Sequence, residues 1–488
     1  MLLQLMFNHC EMIDRDGQNY RCKGICVAIK QVKLQVNELT VGMFVSGLDR
    51  PWSQTPFPLQ GFYIRDLDEI KELKVHCSFV YIDVQKGTAP LKNTLRKLSS
   101  SRASVSSRKP DRNARRAPMP DVAPLKIRRN TYTTIAPLEK EMGKAKELHQ
   151  QVYHAVGAVM EQVNQDHSNF PVREAKRVAG HMVDSVIRSP DAFTWLSRVR
   201  EKDAYTYSHA VRSAVWAILF GRHIGLPKQD LDVLAMGVLL KDIGKTKLPT
   251  YLLEKPDRTS DEQEAYEKFV DYGVEILRKL SDVQPRITSV VKTHCERVNG
   301  SGFPQHLRGD KIPLLGKIAG IVTFYDETTN PRGQEKPLPP SKAVAKLYDL
   351  REIEFQEELV VEFIRAIGLY PTGTLVELST GEVGVVVEQN FERRLKPKVM
   401  VVTDAYKQPL YEMVLVDLAA DEKEKQQKVD AGKVHPSELE RVEIVQDLEP
   451  GSYDIDVAGI RDNYIAMKES KGLLSLFKRK VKFLPGFN

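Results

Sequence analysis

The hydrophobic pattern changes twice along the chain. Within 31–90, short runs of alternating apolar and polar residues surround a helical stretch at 66–74, which predicts a small α+β domain. From Leu138 to near Gly368, apolar residues recur at helical spacing and predict a bundle of helices. Beyond it, runs such as Leu375–Leu378 are separated by Gly and Pro turns. The expected fold class is multidomain, with a central all-α bundle between a small α+β N-terminal domain and a small β-rich C-terminal domain.

The length of 488 residues supports several domains, because a single core stops growing near roughly 250–300 residues. The predicted segments are a disordered leader at 1–30, an α+β regulatory domain at 31–90, a basic flexible linker at 91–130, the helical domain at 131–368, a β-barrel-like domain at 369–420, and a charged linker with a basic C-terminal tail at 421–488.

The net charge of +7 is concentrated in the linker. Residues 95–130 contain eleven Lys or Arg against two Asp, so the rest of the chain is close to neutral. A polar, Ser-rich and Pro-rich segment of this kind is typical of a flexible tether. Nucleic acid is therefore not an expected partner of the folded domains. A protein that binds anionic surfaces through the linker and the tail at 471–484 is retained as an alternative function.

Sequence features also bear on location. The chain contains no run of about 18 apolar residues and begins without the ordered regions of a signal peptide. Its five cysteines are scattered, which argues against a disulfide framework. We expect a cytoplasmic protein with reduced thiols.

Candidate chemistry is concentrated in two segments, 238–245 and 294–304. Each places acidic, imidazole or basic side chains beside an apolar helical run, the arrangement of a metal site between packed helices. In phosphohydrolases that use two metal ions, the metals lower the pKa of a bridging water and neutralise the attacked phosphate.

From residue 203 to beyond Pro304, the chain resembles the HD-GYP family of cyclic di-GMP phosphodiesterases. The matching motifs are His209, then 241–245 where the family has His-Asp-Ile-Gly-Lys, then 294–297 where it has His-His-Glu-Arg, and 302–304 where it has Gly-Tyr-Pro. The segments at 39–45, 48–52, 56–62 and 81–83 resemble a domain of unknown function often fused ahead of HD-GYP domains, which implies a regulatory or docking role. The resemblance implies an HD-type bundle that hydrolyses a phosphodiester with iron or manganese ions.

Four of the seven ligand positions implied by this resemblance carry other residues. Lys241, Phe269, Cys295 and Thr323 stand there, while His209, Asp242 and His294 remain. A protonated Lys has three donors and no acceptor, so Lys241 repels a metal ion and pairs with Asp242. We therefore expect the two-metal chemistry to be lost and no metal cofactor to be bound. The three surviving residues are equally consistent with ordinary hydrogen-bonded core positions.

The residues that the resemblance assigns to nucleotide binding are better kept. They are Arg297, Gly302, Phe303, Pro304, Lys317 and Asp326. Arg and Lys suit phosphate oxygens, and an aromatic ring can stack on a guanine.

The first hypothesis is a cyclic di-GMP signalling protein with a degenerate HD-GYP domain, acting without hydrolysis as a nucleotide sensor or a protein-docking adaptor. The alternative is an active phosphodiesterase with one altered metal site formed by His209, Asp242, His294 and Cys295, in which Asp242 and Lys245 are catalytic and the ion is iron or manganese. The expected partners are cyclic di-GMP and signalling proteins such as those with GGDEF domains, and a homodimer is left open.

Overall fold

A computed structural model of the chain describes most residues between Gln31 and Leu473. The described residues are 31–50, 52, 55, 57, 61–65, 67–83, 127–128, 131–132, 136–164, 172–196, 205–255, 257–280, 282–333, 336–390, 393–431, 435 and 441–473. They belong to two compact units, Met1–Arg115 and Arg116–Asn488. The predicted leader, nearly all of the basic linker and the end of the basic tail lie outside the described residues.

The first unit contains a four-stranded antiparallel sheet and one helix. Its elements are β1 (Gln31–Gln35), β2 (Phe44–Leu48), β3 (Phe62–Tyr63), α1 (Leu67–His76) and β4 (Phe79–Asp83), with strand order β1-β4-β2-β3. Val32 and Leu34 of β1 lie opposite Ile82 and Val80 of β4, and all four are buried. Since successive strand residues point to opposite faces, this alternation forms one apolar face, and Leu73 of α1 belongs to the same core.

The second unit begins with the helical bundle. Its helices are α2 (Leu138–Asn164), α3 (Val172–Arg188), α4 (Pro190–Leu196), α5 (Tyr205–His223), α6 (Lys228–Leu240), α7 (Thr250–Glu254), α8 (Ser260–Glu267), α9 (Phe269–Arg278), α10 (Pro285–Thr293), α11 (Leu314–Thr329), α12 (Pro340–Asp349) and α13 (Glu357–Ile367). Every residue of α5 from Ser208 to Gly221 is buried, and the helix contacts α6, α11 and α13. A helix buried on all sides is a central helix, so polar residues on α5 must find partners inside the bundle.

A second sheet follows the bundle. Its strands are β5 (Leu375–Leu378), β6 (Val383–Glu388), β7 (Lys398–Thr403), β8 (Pro409–Asp417) and β9 (Ile444–Asp447), in the antiparallel order β8-β7-β6-β5-β9. The β6 strand is buried along almost its whole length. The predicted fold class, a helical domain between two domains with β-sheets, is confirmed.

The region 421–488 departs from the predicted charged linker and tail. It contains most of α14 (Leu418–Asp430), the strand β9, and α15 (Val457–Leu473). The charges of α14 are arranged as i, i+4 ion pairs, Lys425 with Asp421 and Lys428 with Glu424, which stabilise a highly charged helix. β9 is a four-residue edge strand, too short for a clear period.

The C-terminal sheet is anchored to the bundle at two places. The Trp195 indole of α4 is fully buried and donates to the carbonyl oxygen of Val387, 3.1 Å away. Helix α15 contacts both α2 and β6, and its Tyr464 hydroxyl donates to Glu388, 2.5 Å away. Among the described residues, no helix is long and apolar enough to cross a membrane.

Candidate functional site

The candidate site lies where α6 ends beside α5. Lys241 follows the last residue of α6 in helical conformation, and Asp242 begins a 3₁₀ turn at Ile243–Lys247. Gly244 lets this turn contact α9, because a β-carbon there would lie 1.9 Å from the Phe269 carbonyl oxygen. The turn therefore directs Lys241, Asp242 and Lys245 into the bundle, where Lys241 and Asp242 are 0% exposed.

The Lys241 ammonium lies between an imidazole and a carboxylate. Its Nζ is 2.7 Å from Nε2 of His209 and forms a hydrogen-bonded ion pair with Asp242. Because an ammonium only donates, Nε2 of His209 must accept this hydrogen bond. The Nε2 lone pair, which a metal would require, is therefore bonded to a side-chain cation.

The other ring nitrogen of His209 faces an acid. Its Nδ1 is 2.7 Å from Asp326, whose carboxylate also accepts from Arg212 Nε at 3.0 Å. Burial and the nearby Lys241 lower the pKa of His209, so the ring is neutral, with its proton on Nδ1. Burial alone would raise the pKa of Asp326, but Arg212 and His209 outweigh it and lower the pKa to about 2.

Asp242 is held by two lysines. Lys245 Nζ is 2.7 Å from Oδ1, on the other carboxylate oxygen from Lys241. Burial would raise the pKa of Asp242, but the two ammonium groups lower it well below its usual value. Burial likewise opposes the charge of Lys245, and Asp242 outweighs this effect and raises the pKa of Lys245. The acid is therefore ionised and paired.

The second part of the site has few free donor atoms for a metal. Nδ1 of His294 donates to the Val291 carbonyl oxygen at 2.8 Å, and its Nε2 is 3.2 Å from the Cys295 sulfur. The Phe269 ring is 5.9 Å from the His294 ring and 4.8 Å from Lys245 Nζ, as a cation–π contact requires. Thr323 is buried, and its hydroxyl has no hydrogen-bond partner among the described residues.

These residues do not fit a two-metal centre. Two lysine ammonium groups form ion pairs with Asp242, and one of them, Lys241, is also hydrogen-bonded to His209. The aromatic ring of Phe269 offers no lone pair. Within the described ranges, no group of three or more His, Cys, Asp or Glu side chains is placed to hold a metal ion. No hydrolytic step through a metal follows from this arrangement.

The buried charges of the centre are paired with one another. Lys241 and Lys245 pair with Asp242, and Arg212 pairs with Asp326. Each buried cation therefore has an anionic partner within the protein.

The loop after α10 is rigidly held. Glu296 is buried, and its carboxylate accepts from the backbone N–H of Gln305 at 2.8 Å and of Leu307 at 2.9 Å. At Gly302, a β-carbon would lie 2.3 Å from the Cys295 carbonyl oxygen, so only glycine fits. Phe303 and Pro304 are half-buried, and the peptide bond between them is cis.

The predicted phosphate-binding cations are bonded within the protein. Arg297 donates to the Glu296 carbonyl oxygen at 3.0 Å and lies 3.4 Å from Glu354. Lys317 Nζ lies 3.1 Å from both Asp310 and Gln356. Each cation therefore has an acidic partner that is itself partly exposed.

Asp326 has a different place from the one that the sequence predicted. The family resemblance implies a role in nucleotide binding, but Asp326 is 0% exposed and bonds to His209, Arg212 and Asn330. An acid whose oxygens are all used inside the bundle cannot contact a nucleotide, so Asp326 supports the His209 ring instead.

Sequence reasoning missed Arg212 and Tyr205, which also contact this centre. Arg212 lies one helical turn after His209, so helical spacing places both on one face. The Tyr205 ring stacks on the His209 ring at 5.6 Å, and its hydroxyl donates to the Asn330 carbonyl oxygen. The i, i+3 and i, i+4 spacing from His209 was the signal that could have identified them.

Three protein-family models match the chain. A domain of unknown function, DUF3391, matches residues 31–170; an HD domain matches 197–356; and a KOW domain associated with the HD domain matches 375–425. The DUF3391 match runs through the segment predicted as a linker and into α2. The HD match contains His209, the Lys241–Asp242 pair and the loop held by Glu296, so the fold and the site define an HD-domain protein.

Curated relatives agree with this class. A cyclic di-GMP phosphodiesterase of Pseudomonas aeruginosa is 27% identical over 391 residues, which cover 79% of this chain and 88% of that protein. A 3′3′-cGAMP-specific phosphodiesterase of Vibrio cholerae is 30% identical over 167 residues, 33% of this chain and 31% of that one. A cyclic di-GMP phosphodiesterase response regulator of Xanthomonas campestris is 26% identical over 193 residues, 39% of this chain and 51% of that protein. The chain therefore contains an HD domain, and the curated relatives that it resembles are named as phosphodiesterases of cyclic dinucleotides.

Proposed function

We propose that this protein acts in cyclic di-GMP signalling without hydrolysing the nucleotide, as a protein-docking adaptor built on an HD fold. The observation that carries the proposal is the Lys241 ammonium, 2.7 Å from His209 Nε2 and paired with Asp242. Two-metal hydrolysis requires cations that bind and activate water. Here the imidazole and carboxylate that would bind them are already bonded to a side chain.

The environment of the remaining cations favours docking over nucleotide sensing. Phosphate recognition uses Arg or Lys donors that are free to bond to the ligand. Arg297 and Lys317 each have an acidic partner, and the buried cations of the centre pair with Asp242 and Asp326. The loop is held in place by Glu296 and is partly exposed, and a preorganised surface of this kind loses little conformational freedom when a protein binds.

The alternative of a single altered metal site has less support. It needs Cys295 as a thiolate beside His209, Asp242 and His294. Burial raises the pKa of the Cys295 thiol to about 12, so in the absence of a metal ion the thiol is protonated. The Cys295 sulfur also occupies the lone-pair side of the His294 ring.

The test is cyclic di-GMP turnover by the purified full chain, incubated anaerobically with ferrous or manganous ion. We expect the nucleotide to be recovered intact, while the Pseudomonas aeruginosa relative serves as the active control. A parallel Lys241→His variant is also expected to be inactive, because Phe269, Cys295 and Thr323 still offer no full ligand set.

Linear or fully cleaved product from the unmodified chain would contradict the proposal and support the altered metal site. Equilibrium dialysis with labelled nucleotide separates the two non-hydrolytic roles. Saturable binding without turnover would replace docking with nucleotide sensing, and no binding is the result that docking predicts.

A further inference from the structure

Lys241 lies at the middle of a buried polar network that joins three elements. From its Nζ, one branch leads through His209 of α5 to Asp326 of α11 and back to Arg212 of α5. The other branch leads through Asp242 to Lys245 in the 3₁₀ turn. Within the described part of the chain, the ammonium is therefore the group that is hydrogen-bonded to both branches of this network.

We propose that the Lys241 ammonium is the resident cation of this centre and does the structural work of a bound metal ion, holding α5, α11 and the end of α6 together. The inference goes beyond the proposed function, because it concerns what stabilises the bundle and does not depend on docking. It follows from a disagreement at one position. The family resemblance implies a metal ligand there, but the chain has Lys241, whose ammonium can only donate hydrogen bonds.

The chemistry of the neighbours supports this role. A metal between helices is bound by a lone pair of a neutral imidazole and by a carboxylate. Nε2 of His209 and the Asp242 carboxylate present this pair of groups, and Lys241 Nζ is bonded to both. These acceptors are buried away from water, so the Lys241 ammonium, itself 0% exposed, supplies the hydrogen bonds that water would give them at the surface.

A cation that belongs to the chain differs from a bound ion in one measurable way. The stabilisation by a bound ion depends on the concentration of the ion and disappears when a chelator removes it. The stabilisation by Lys241 has no such dependence. Removing the ammonium leaves His209 Nε2 without its donor and leaves Asp242 with Lys245 alone, so the bundle should lose stability.

Thermal unfolding of the full chain tests the inference. The Tm of the unmodified protein should be the same with EDTA and with manganese chloride. Lys241→Gln fills most of the side-chain volume but has no charge, and should lower Tm by roughly 10 °C. Lys268→Gln, at a half-exposed surface lysine on the neighbouring turn, is the matched control and should leave Tm nearly unchanged.

Lys241→Ala adds a test of chemical complementation. It leaves a cavity in which a short alkylammonium can reach His209 and Asp242. Ethylammonium chloride should raise the Tm of this variant relative to sodium chloride of equal concentration, with no such difference for the unmodified chain or Lys241→Gln. If Lys241→Ala does not fold, the Lys241→Gln result decides alone.

The inference is overturned by Lys241→Gln melting at the temperature of the unmodified chain, by EDTA lowering the Tm of the unmodified chain, or by ethylammonium failing to stabilise a folded Lys241→Ala. These melting results are independent of nucleotide turnover. A Lys241→Gln variant as stable as the unmodified chain would contradict the inference even if no nucleotide turnover is found. Nucleotide turnover would contradict the proposed function even if Lys241→Gln is unstable.

Discussion

At the scale of single residues, burial and hydrogen bonding determine which ring nitrogens carry a proton and which side chains are charged. His209 and His294 each donate from Nδ1 to a fixed acceptor, and the Nε2 of each faces a donor. Burial lowers the pKa of His294 to about 3, and the neighbouring Lys241 acts in the same direction. Both rings are therefore neutral hydrogen-bonding parts of the core at physiological pH.

The neutral His294 ring predicts a loss of stability in weak acid. In the unfolded chain this imidazole takes up a proton near pH 6.5, but in the folded chain only near pH 3. Between these values the unfolded state binds more protons, so the free energy of unfolding falls as the pH drops below 6.5. For this one group, the loss between pH 6.5 and 5 is about 2 kcal/mol.

A His294→Gln variant checks this prediction by urea unfolding at pH 7 and pH 5. Glutamine keeps a donor for the Val291 carbonyl but cannot take up the proton, so the variant should lose about 2 kcal/mol less over this range than the unmodified chain. His306→Gln, on the exposed part of the loop, is the control. An equal loss in His294→Gln and the unmodified chain would contradict the assigned cause.

At the scale of elements, the helix and strand pattern was largely predictable, but the polar contacts were not. The predicted helix from Leu138 and strand Leu375–Leu378 start where the structure has them. By contrast, the contact between Lys241 and His209 joins residues 32 positions apart and depends on how two helices pack. Hydrophobic periodicity fixes which face of a helix is buried but not which polar groups meet inside.

Helix α15 is the element whose role the sequence did not reveal. Glu388 at the end of β6 accepts from the Tyr464 hydroxyl and lies 2.8 Å from Lys468 Nζ, both on α15, while Lys398 pairs with the other carboxylate oxygen. Burial would raise the pKa of Glu388, but Lys398 and Lys468 lower it to about 2. This carboxylate therefore ties the last described helix to the sheet.

Replacing Glu388 by Ala should release α15 from β6. The change removes a half-buried carboxylate that accepts from three donors, and we expect a loss of about 1–3 kcal/mol in the free energy of unfolding. Hydrogen exchange should rise at 457–469 more than in α5. Glu449→Ala, in an exposed turn, is the control, and unchanged protection of α15 in Glu388→Ala would show that apolar packing alone holds this helix.

At the scale of the whole molecule, the sequence indicated the fold class, a helical domain with β-sheet domains on either side of it in the sequence. The region 421–488, predicted as a charged linker and tail, contains β9 of the second sheet. This strand forms through the pairing of Ile444 with Leu378, a long-range contact that the local sequence pattern does not reveal. The sequence also predicted that Asp326 binds nucleotide, whereas the structure buries it beside His209. Burial depends on how the helices pack, which the sequence pattern does not reveal. Docking to GGDEF-domain proteins, a homodimer and anionic-surface binding through residues 95–130 remain predictions.

The salt dependence of binding distinguishes anionic-surface binding through residues 95–130 from docking by the folded domains. Binding through a basic linker weakens steeply with salt, because counterions are released from the anionic surface. Since the proposed docking surface is the loop held by Glu296, deletion of 95–126 should leave partner binding in place.

The most direct measurement is the metal content of the full chain, purified anaerobically from cells grown with added iron and manganese. The account predicts that the dialysed protein is folded and holds almost no iron or manganese, because Lys241 occupies the space between His209 and Asp242. A folded protein that retains about two ions per chain, the content of a two-metal hydrolase, would contradict it.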